Sequence, residues 1–189
     1  MRILECDQLL IKPTEEKDLE ELMQLRWEAD VAAYIIHDPL GMKQQLEWFK
    51  NLSSRDLSFT VFSKEAKDLK IIGTAGLYEI NMRHQLARLK MRVSPGVQGK
   101  GFGYKMFIMV LDYAFDTLNI RKICTDAFSD NSRIIGMMSK LGFTREGVLR
   151  KQYYHNGKYC DADIFNLFKE DYYASEKVKE IRKAIKYSK

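Results

Sequence analysis

Between positions 88 and 93, apolar and charged residues alternate one for one, Leu89, Met91 and Val93 against Arg88, Lys90 and Arg92. A period of two suits a half-buried strand, and Pro95-Gly96 ends it. The period then lengthens. Phe107, Val110, Leu111, Ala114, Phe115 and Leu118 recur at helical spacing and give one apolar stripe along a helix. Gly99, Gly101 and Gly103 lie between the two patterns, so the spacing places them at the helix N-terminus.

Upstream, 9–12 reads as a short strand. Thr14 is positioned to cap a helix whose first turn holds Glu15, Glu16 and Asp18 and whose buried stripe is Leu19, Leu22 and Met23. Segment 27–41 is less regular, and a second short helix is predicted over 42–52. Stretches 58–64 and 70–80 read as antiparallel strands joined by the charged turn 65–68, with Gly73 and Gly76 marking a bulge or a close approach. Positions 121–128 form a further strand, Asp130 or Asn131 caps the next helix, and Gly142 ends it. Asn156-Gly157 predicts a tight hairpin between 148–155 and 158–168. Val178, Ile181 and Ile185 give 174–189 a helical stripe, with fraying expected at its end. The order β α α β β β α β α β β defines an α+β fold.

At 189 residues and 46% hydrophobic, the chain is long enough for one domain with a substantial core. We place that domain at 1–173, followed by a basic helix or tail over 174–189. The formal net charge is +5, but the basic residues are interleaved with 26 acidic ones, so nucleic acid is not an expected partner. No apolar run is long enough to cross a bilayer and the N-terminus lacks a leader pattern, which predicts no membrane contact and a cytoplasmic location. Cys6, Cys124 and Cys160 stand in unrelated contexts, so neither a disulfide framework nor a metal is expected.

The glycines have a chemical use. Without side chains at 99, 101 and 103, backbone N–H groups can point into one concavity at the positive end of the helix dipole, a place that binds phosphate. Lys100 adds a positive charge there. The spacing fits neither a P-loop nor a Rossmann fingerprint. A glycine-rich turn that only lets strand and helix pack closely is the plain alternative.

Gln98-x-x-Gly101-x-Gly103 between a strand and a long amphipathic helix resembles the acetyl-CoA pyrophosphate loop of the GNAT superfamily of N-acetyltransferases. A second likeness begins at Asn131, in the run Asn-Ser-Arg-Ile-Ile-Gly-Met-Met-Ser-Lys-Leu-Gly-Phe that closes on Gly142-Phe143 and continues into Glu146-Gly147. The resemblance spans about 70–168. It implies a mixed, splayed central sheet flanked by helices, an acetyltransferase domain over 1–173, and acetyl-CoA as co-substrate. The expected cofactor contacts are the strand residues Met91, Arg92 and Val93, the loop residues Gln98, Gly99, Lys100, Gly101, Phe102, Gly103 and Tyr104, and Asn131 and Met138 on the later helix.

The same resemblance implies direct attack of a neutral amine on the thioester, with a backbone N–H near Val93 as oxyanion donor. Many members place a Tyr seven residues after the helix-starting Asn; here that position is Met138, which cannot donate a proton. Tyr104, Tyr153 and Tyr154 are the replacement candidates, with Tyr104 and Tyr154 preferred, and strand alternation lets only one of Tyr153 and Tyr154 face a site. Glu79 is the first candidate base and His37 the second, while Trp27, Tyr34 and Trp48 could shape an acceptor pocket. The extended ending resembles the branch of ribosomal-protein N-terminal, spermidine and amino-sugar acetyltransferases. The acceptor is thus a small-molecule or peptide amine, and a homodimer is compatible with this reading. Arg88, Lys90 and Arg92, on one strand face, would suit an anionic acceptor or simply face solvent. Met138 also leaves open a catalytically silent acyl-CoA-binding or interaction module.

Overall fold

The computed structural model describes residues 4–28, 41–65, 68–97, 99, 101–155 and 157–187. Its strands are β1 (Leu4–Glu5), β2 (Leu9–Pro13), β3 (Leu57–Ser63), β4 (Lys70–Asn81), β5 (Leu86–Val93), β6 (Lys122–Phe128), β7 (Thr144–His155) and β8 (Lys158–Phe168). They form one sheet in the order β1-β2-β3-β4-β5-β6-β8-β7, antiparallel everywhere except between β5 and β6. The helices are α1 (Leu19–Trp27), α2 (Met42–Lys50), α3 (Phe102–Asp112), α4 (Ser132–Lys140), α5 (Lys169–Ala174) and α6 (Glu176–Ala184). This is the α+β fold read from the order of elements, with the mixed sheet flanked by helices that the resemblance implied.

From Met106 to Leu111 helix α3 is apolar on all sides because it is enclosed there on all sides. Met106 through Leu111 are buried between the sheet and α6. The main core joins them to Phe59, Val61, Ala75, Leu77, Leu89, Ile123 and Phe165 from the sheet, and to Val178, Ile181 and Ile185 from the C-terminal segment. On the opposite face α1 lays Leu22 and Leu25 against Phe62 and Ile71, a smaller second cluster. A side chain on Gly73 would collide with the Arg92 carbonyl, which is the close approach of β4 and β5 that this glycine permits. The β3–β4 register also slips at Val61/Phe62, so the expected bulge is there too.

Two local expectations change and one is narrowed. Thr14 does not cap: its hydroxyl is buried against Ser58 Oγ at 3.0 Å, and the helix begins instead as a 3-10 turn over Glu16–Asp18, where Glu15 N–H donates to Asp18 Oδ2 at 3.0 Å. Of the two readings of 174–189, helix or tail, the described residues show a helix, α6, whose Val178 and Ile181 join the main core. Val178 is fully buried, the Tyr187 hydroxyl donates to Asp112 at 2.6 Å, and Cys6 bridges to Tyr187. The last hairpin strand starts at Thr144 rather than 148, because Thr144 and Arg145 already pair with β8. Asn156 lies outside the described residues, while Gly157 takes the positive φ of 78° that a tight turn asks of it.

Candidate active site

Strands β5 and β6 pair only through Leu86–Lys122, Ala87–Ile123 and Arg88–Cys124. Beyond that seam β5 stays with β4 as far as Val93, and β6 stays with β8 as far as Phe128. The strands therefore part, and one edge of β5 runs unpaired from Leu89 to Val93. Ser94 N–H donates to Ile72 O on β4 at 2.8 Å. By the two-residue period of a strand, Arg92 turns its backbone the same way, and Met91 and Val93 turn theirs toward the gap. Of the three expected strand contacts, Arg92 is thus corrected: its backbone faces β4 and its side chain faces α1.

At the far end of β5, a 3-10 turn over Pro95–Val97 leads into the glycine loop. Gly99 and Gly101 both take φ of 81°, a left-handed conformation that favours glycine, and a Cβ at either would meet nothing within 4 Å. Conformation, not crowding, demands glycine here. Gly101 is the N-cap of α3 and brings no side-chain cap, and the first turn holds no acidic residue. The first α3 bond of this turn runs from Lys105 N–H to Gly101 O, so the N–H groups of Phe102, Gly103 and Tyr104 have no intrahelical acceptor. An uncapped, acid-free helix start behind two left-handed glycines fits a pyrophosphate. Gln98 and Lys100 lie outside the described residues.

The mouth of the gap is ringed by charge. Arg88 Nη1 donates to Asp126 Oδ1 at 2.6 Å and Arg88 Nε reaches Glu79 Oε2 at 3.4 Å. The Tyr153 hydroxyl donates to Asp126 Oδ2 at 2.5 Å, and its ring packs on Phe128. Burial, then the bond to Asp126, pushes the Tyr153 phenol well above the usual tyrosine range, so it keeps its proton at neutral pH. Glu79 sits in a register break of β4 with φ of 52°, its N–H held by Asp56 Oδ1 at 2.9 Å.

The face of β5 turned toward α1 carries Arg88, Lys90 and Arg92 opposite Tyr78, Gly76 and Thr74. Tyr78 lies over Gly76, its phenol pushed up by burial, and Lys90 Nζ stands 5.9 Å from its ring centre. Arg26 closes this side from α1. Trp27 and Trp48 are exposed, so neither is core; Tyr34 and His37 lie outside the described residues.

The remaining candidates separate. Tyr104 is in the first turn of α3, half-buried against the main core at the phosphate end of the gap. Tyr154 points away: it is 67% exposed and stacks on Tyr159, whereas Tyr153 is the member of the pair that reaches β6. Asn131 spends its carbonyl on capping α4 through Ile134 N–H at 3.2 Å. Met138 is 3% exposed within the main core, which leaves little of it for a cofactor. Asp126 and Arg26 escaped the sequence reading; a single acid inside the apolar run Ile123–Phe128 was the signal for the first. Among the described residues no cluster of His, Cys, Asp or Glu could hold a metal ion, and the three cysteines are unpaired. No described helix is long and apolar enough to cross a membrane.

Comparison with known proteins converges on this geometry. The acetyltransferase (GNAT) domain family matches residues 8–144. A spermidine N(1)-acetyltransferase of Escherichia coli K12 is 31% identical over 167 residues, covering 88% of this chain and 89% of that protein. One from Vibrio cholerae is 28% identical over 165 residues, covering 87% and 95%. The crystal structure of the Vibrio cholerae spermidine N-acetyltransferase in complex with CoA and spermine superposes with a TM-score of 0.79 at 27% identity, covering 88% of this chain and 98% of that one.

Proposed function

The chain belongs to the GNAT family of acetyltransferases and is an acetyl-CoA-dependent N-acetyltransferase, and from that premise we propose how its residues divide the work of acetylating a primary amine. The co-substrate supplies an acetyl group activated as a thioester. The parting of β5 from β6 after Arg88/Cys124 carries the reading. On the unpaired edge, Met91 and Val93 offer N–H and C=O groups at the spacing of a missing strand, which suits the amides of a pantetheine arm. One of those N–H groups is aimed to hold the acetyl oxygen as negative charge grows on it. The N–H groups of Phe102, Gly103 and Tyr104 hold the phosphates, with Gln98, Gly99 and Lys100 completing the loop.

Glu79 is the proposed acceptor of the amine's proton. It is the exposed carboxylate at the mouth, and its left-handed backbone is the kind of local strain that collects at functional positions. Tyr153, rather than Tyr104 or Tyr154, is the hydroxyl at the mouth. Its proton is engaged by Asp126 Oδ2, which gives it a positioning role through hydrogen bonding. Attack within a ternary complex needs no covalent enzyme intermediate, and positioning the two reactants provides much of the rate. A cytoplasmic location is supported by three cysteines that are free thiols, and a homodimer by the outer edge of β7, which has no partner strand among the described residues.

Thiol release from acetyl-CoA, measured with spermidine, amino sugars and N-terminal peptides beside calorimetric CoA binding, tests the reading. Amine-stimulated release that Glu79→Gln lowers at least tenfold is the expected result. CoA binding without turnover on any amine would point to a silent module instead.

A further inference from the structure

Arg26 and Arg92 are two guanidinium groups on the acceptor side that no carboxylate neutralises among the described residues. Helix α1 packs on β4, and Arg26 follows Leu22 by one turn, on the side that meets the sheet. Arg92 rises from β5 on the same face, directly opposite Thr74. The end of α1 is tied to the end of β5 because Ser94 Oγ donates to the Glu28 carboxylate at 3.2 Å. Counting back two residues from each partner of that bond reaches Arg26 and Arg92. Glu28 is hydrogen-bonded to that serine, and neither arginine makes an ion pair or hydrogen bond among the described residues. Arg26 Nη2 is buried without any partner.

An unpaired guanidinium in a partly buried position is unfavourable, and proteins rarely keep two together without use. Burial and the neighbouring Arg26 together lower Arg92 to about 10, still charged at neutral pH. Lys90 adds a third cation one strand step away, over the Tyr78 ring. Arg88 on the same strand shows the contrast: its two carboxylates, Glu79 and Asp126, hold it in place. A polyamine, carrying several positive charges, would be repelled from this end of the pocket.

We propose that Arg26 and Arg92 form an anion-recognition subsite in the acceptor pocket, so that the preferred substrate is a primary amine that also carries a phosphate or carboxylate group. This rests on the acetyltransferase reading above and names its acceptor class. The planar forks of two arginines suit the paired oxygens of either group.

Two measurements on the full chain test it. In the first, inorganic pyrophosphate is titrated into protein saturated with CoA, so that the glycine loop is already filled. Binding is expected, weakened about 10- to 100-fold in Arg26→Gln and in Arg92→Gln and largely kept in Arg26→Lys. The thermal midpoint of Arg26→Gln should hold or rise, because an unpaired buried charge is removed. Failure of CoA to bind would refute the acetyltransferase reading. CoA binding without pyrophosphate binding, equal pyrophosphate binding by the variants, or lost binding together with a midpoint several degrees lower would overturn the subsite.

In the second, kcat/KM is compared within matched pairs: glucosamine 6-phosphate against glucosamine, and 4-aminobutyrate against butylamine. At least one anionic member should be preferred about tenfold or more, the larger ratio identifying phosphate or carboxylate, and Arg26→Gln should bring that ratio toward one. Preference for spermidine over both anionic amines would overturn the proposal.

Discussion

The Arg88 guanidinium donates at 2.6 Å to Oδ1 of Asp126, two residues beyond Cys124, the last β6 residue that pairs with β5. The bond pins the two strands where they part. Arg88→Met is expected to leave Asp126 with Tyr153 alone, to lower stability by about 1–3 kcal/mol and, by letting the mouth shift, to reduce kcat/KM about tenfold or more. Urea unfolding and steady-state kinetics check both parts. A variant of unchanged activity would mean that the pin is structural only.

Gly101→Ala separates conformation from space. A Cβ there touches nothing, yet a left-handed alanine costs about 1–2 kcal/mol. The variant should lose about that much stability and raise KM for acetyl-CoA at least tenfold, with the KM for the amine little changed. A CoA titration at matched temperature reads this directly.

The pH profile of stability should fall at both ends, for different reasons. Tyr153, Tyr172, Tyr173 and Tyr187 are all raised, burial being the largest cause in each. The folded chain therefore keeps protons that the unfolded chain loses from about pH 10 upward. Their contribution is full below that pH and declines as the pH rises toward the folded values. Asp163 is the reverse: the Arg145 guanidinium, 2.7 Å away, holds its carboxyl low, so its contribution is present above about pH 4 and is lost as the pH falls. Urea midpoints between pH 3 and 11 should show a flat centre, with Asp163→Asn flattening the acid limb and Tyr172→Phe the alkaline one. An alkaline decline beginning at pH 8 would contradict this assignment.

Truncation after Ala174 tests whether the C-terminal segment is core. It removes Val178, Ile181 and Ile185, each worth about 1.5–3 kcal/mol of burial, a sum comparable to the stability of a whole domain. The shortened chain is expected to melt far lower or to aggregate. An unchanged thermal midpoint would restore the reading of a tail.

The glycine loop and the strand before it were legible because they rest on local period and on backbone needs that only glycine meets. Asn131 and Gly142 were legible for the same reason, and both behave as the two ends of α4. What could not be read is set by register. The slip in β7 between Leu149 and Tyr153 resets the alternation, so the strand pattern alone could not say whether Tyr153 or Tyr154 faces the gap. Glu79 owes its position to a break between Tyr78 and Asn81 that leaves no mark in the residue types. Arg26 stands one turn after Leu22, at a stripe position of α1 that an arginine leaves without an apolar signal. Only the packing of α1 on β4 brings it to Arg92. The C-terminal helix was legible through Val178, Ile181 and Ile185, but its charges gave no sign that Arg182 and Tyr187 turn inward to Asp112.

The pairing of Cys6 with Tyr187, supported by the bond from Asp7 N–H to Lys186 O at 3.1 Å, bears on how the chain is made. Residues 6 and 7 are made long before residues 186 and 187, so their side of the sheet closes only once the later pair is available. Until then Asp112 faces water without Tyr172, Tyr187 or Arg182, and the outer flank of α3 is uncovered. A nascent chain stalled before position 185 thus presents a long apolar helix to whatever is nearby.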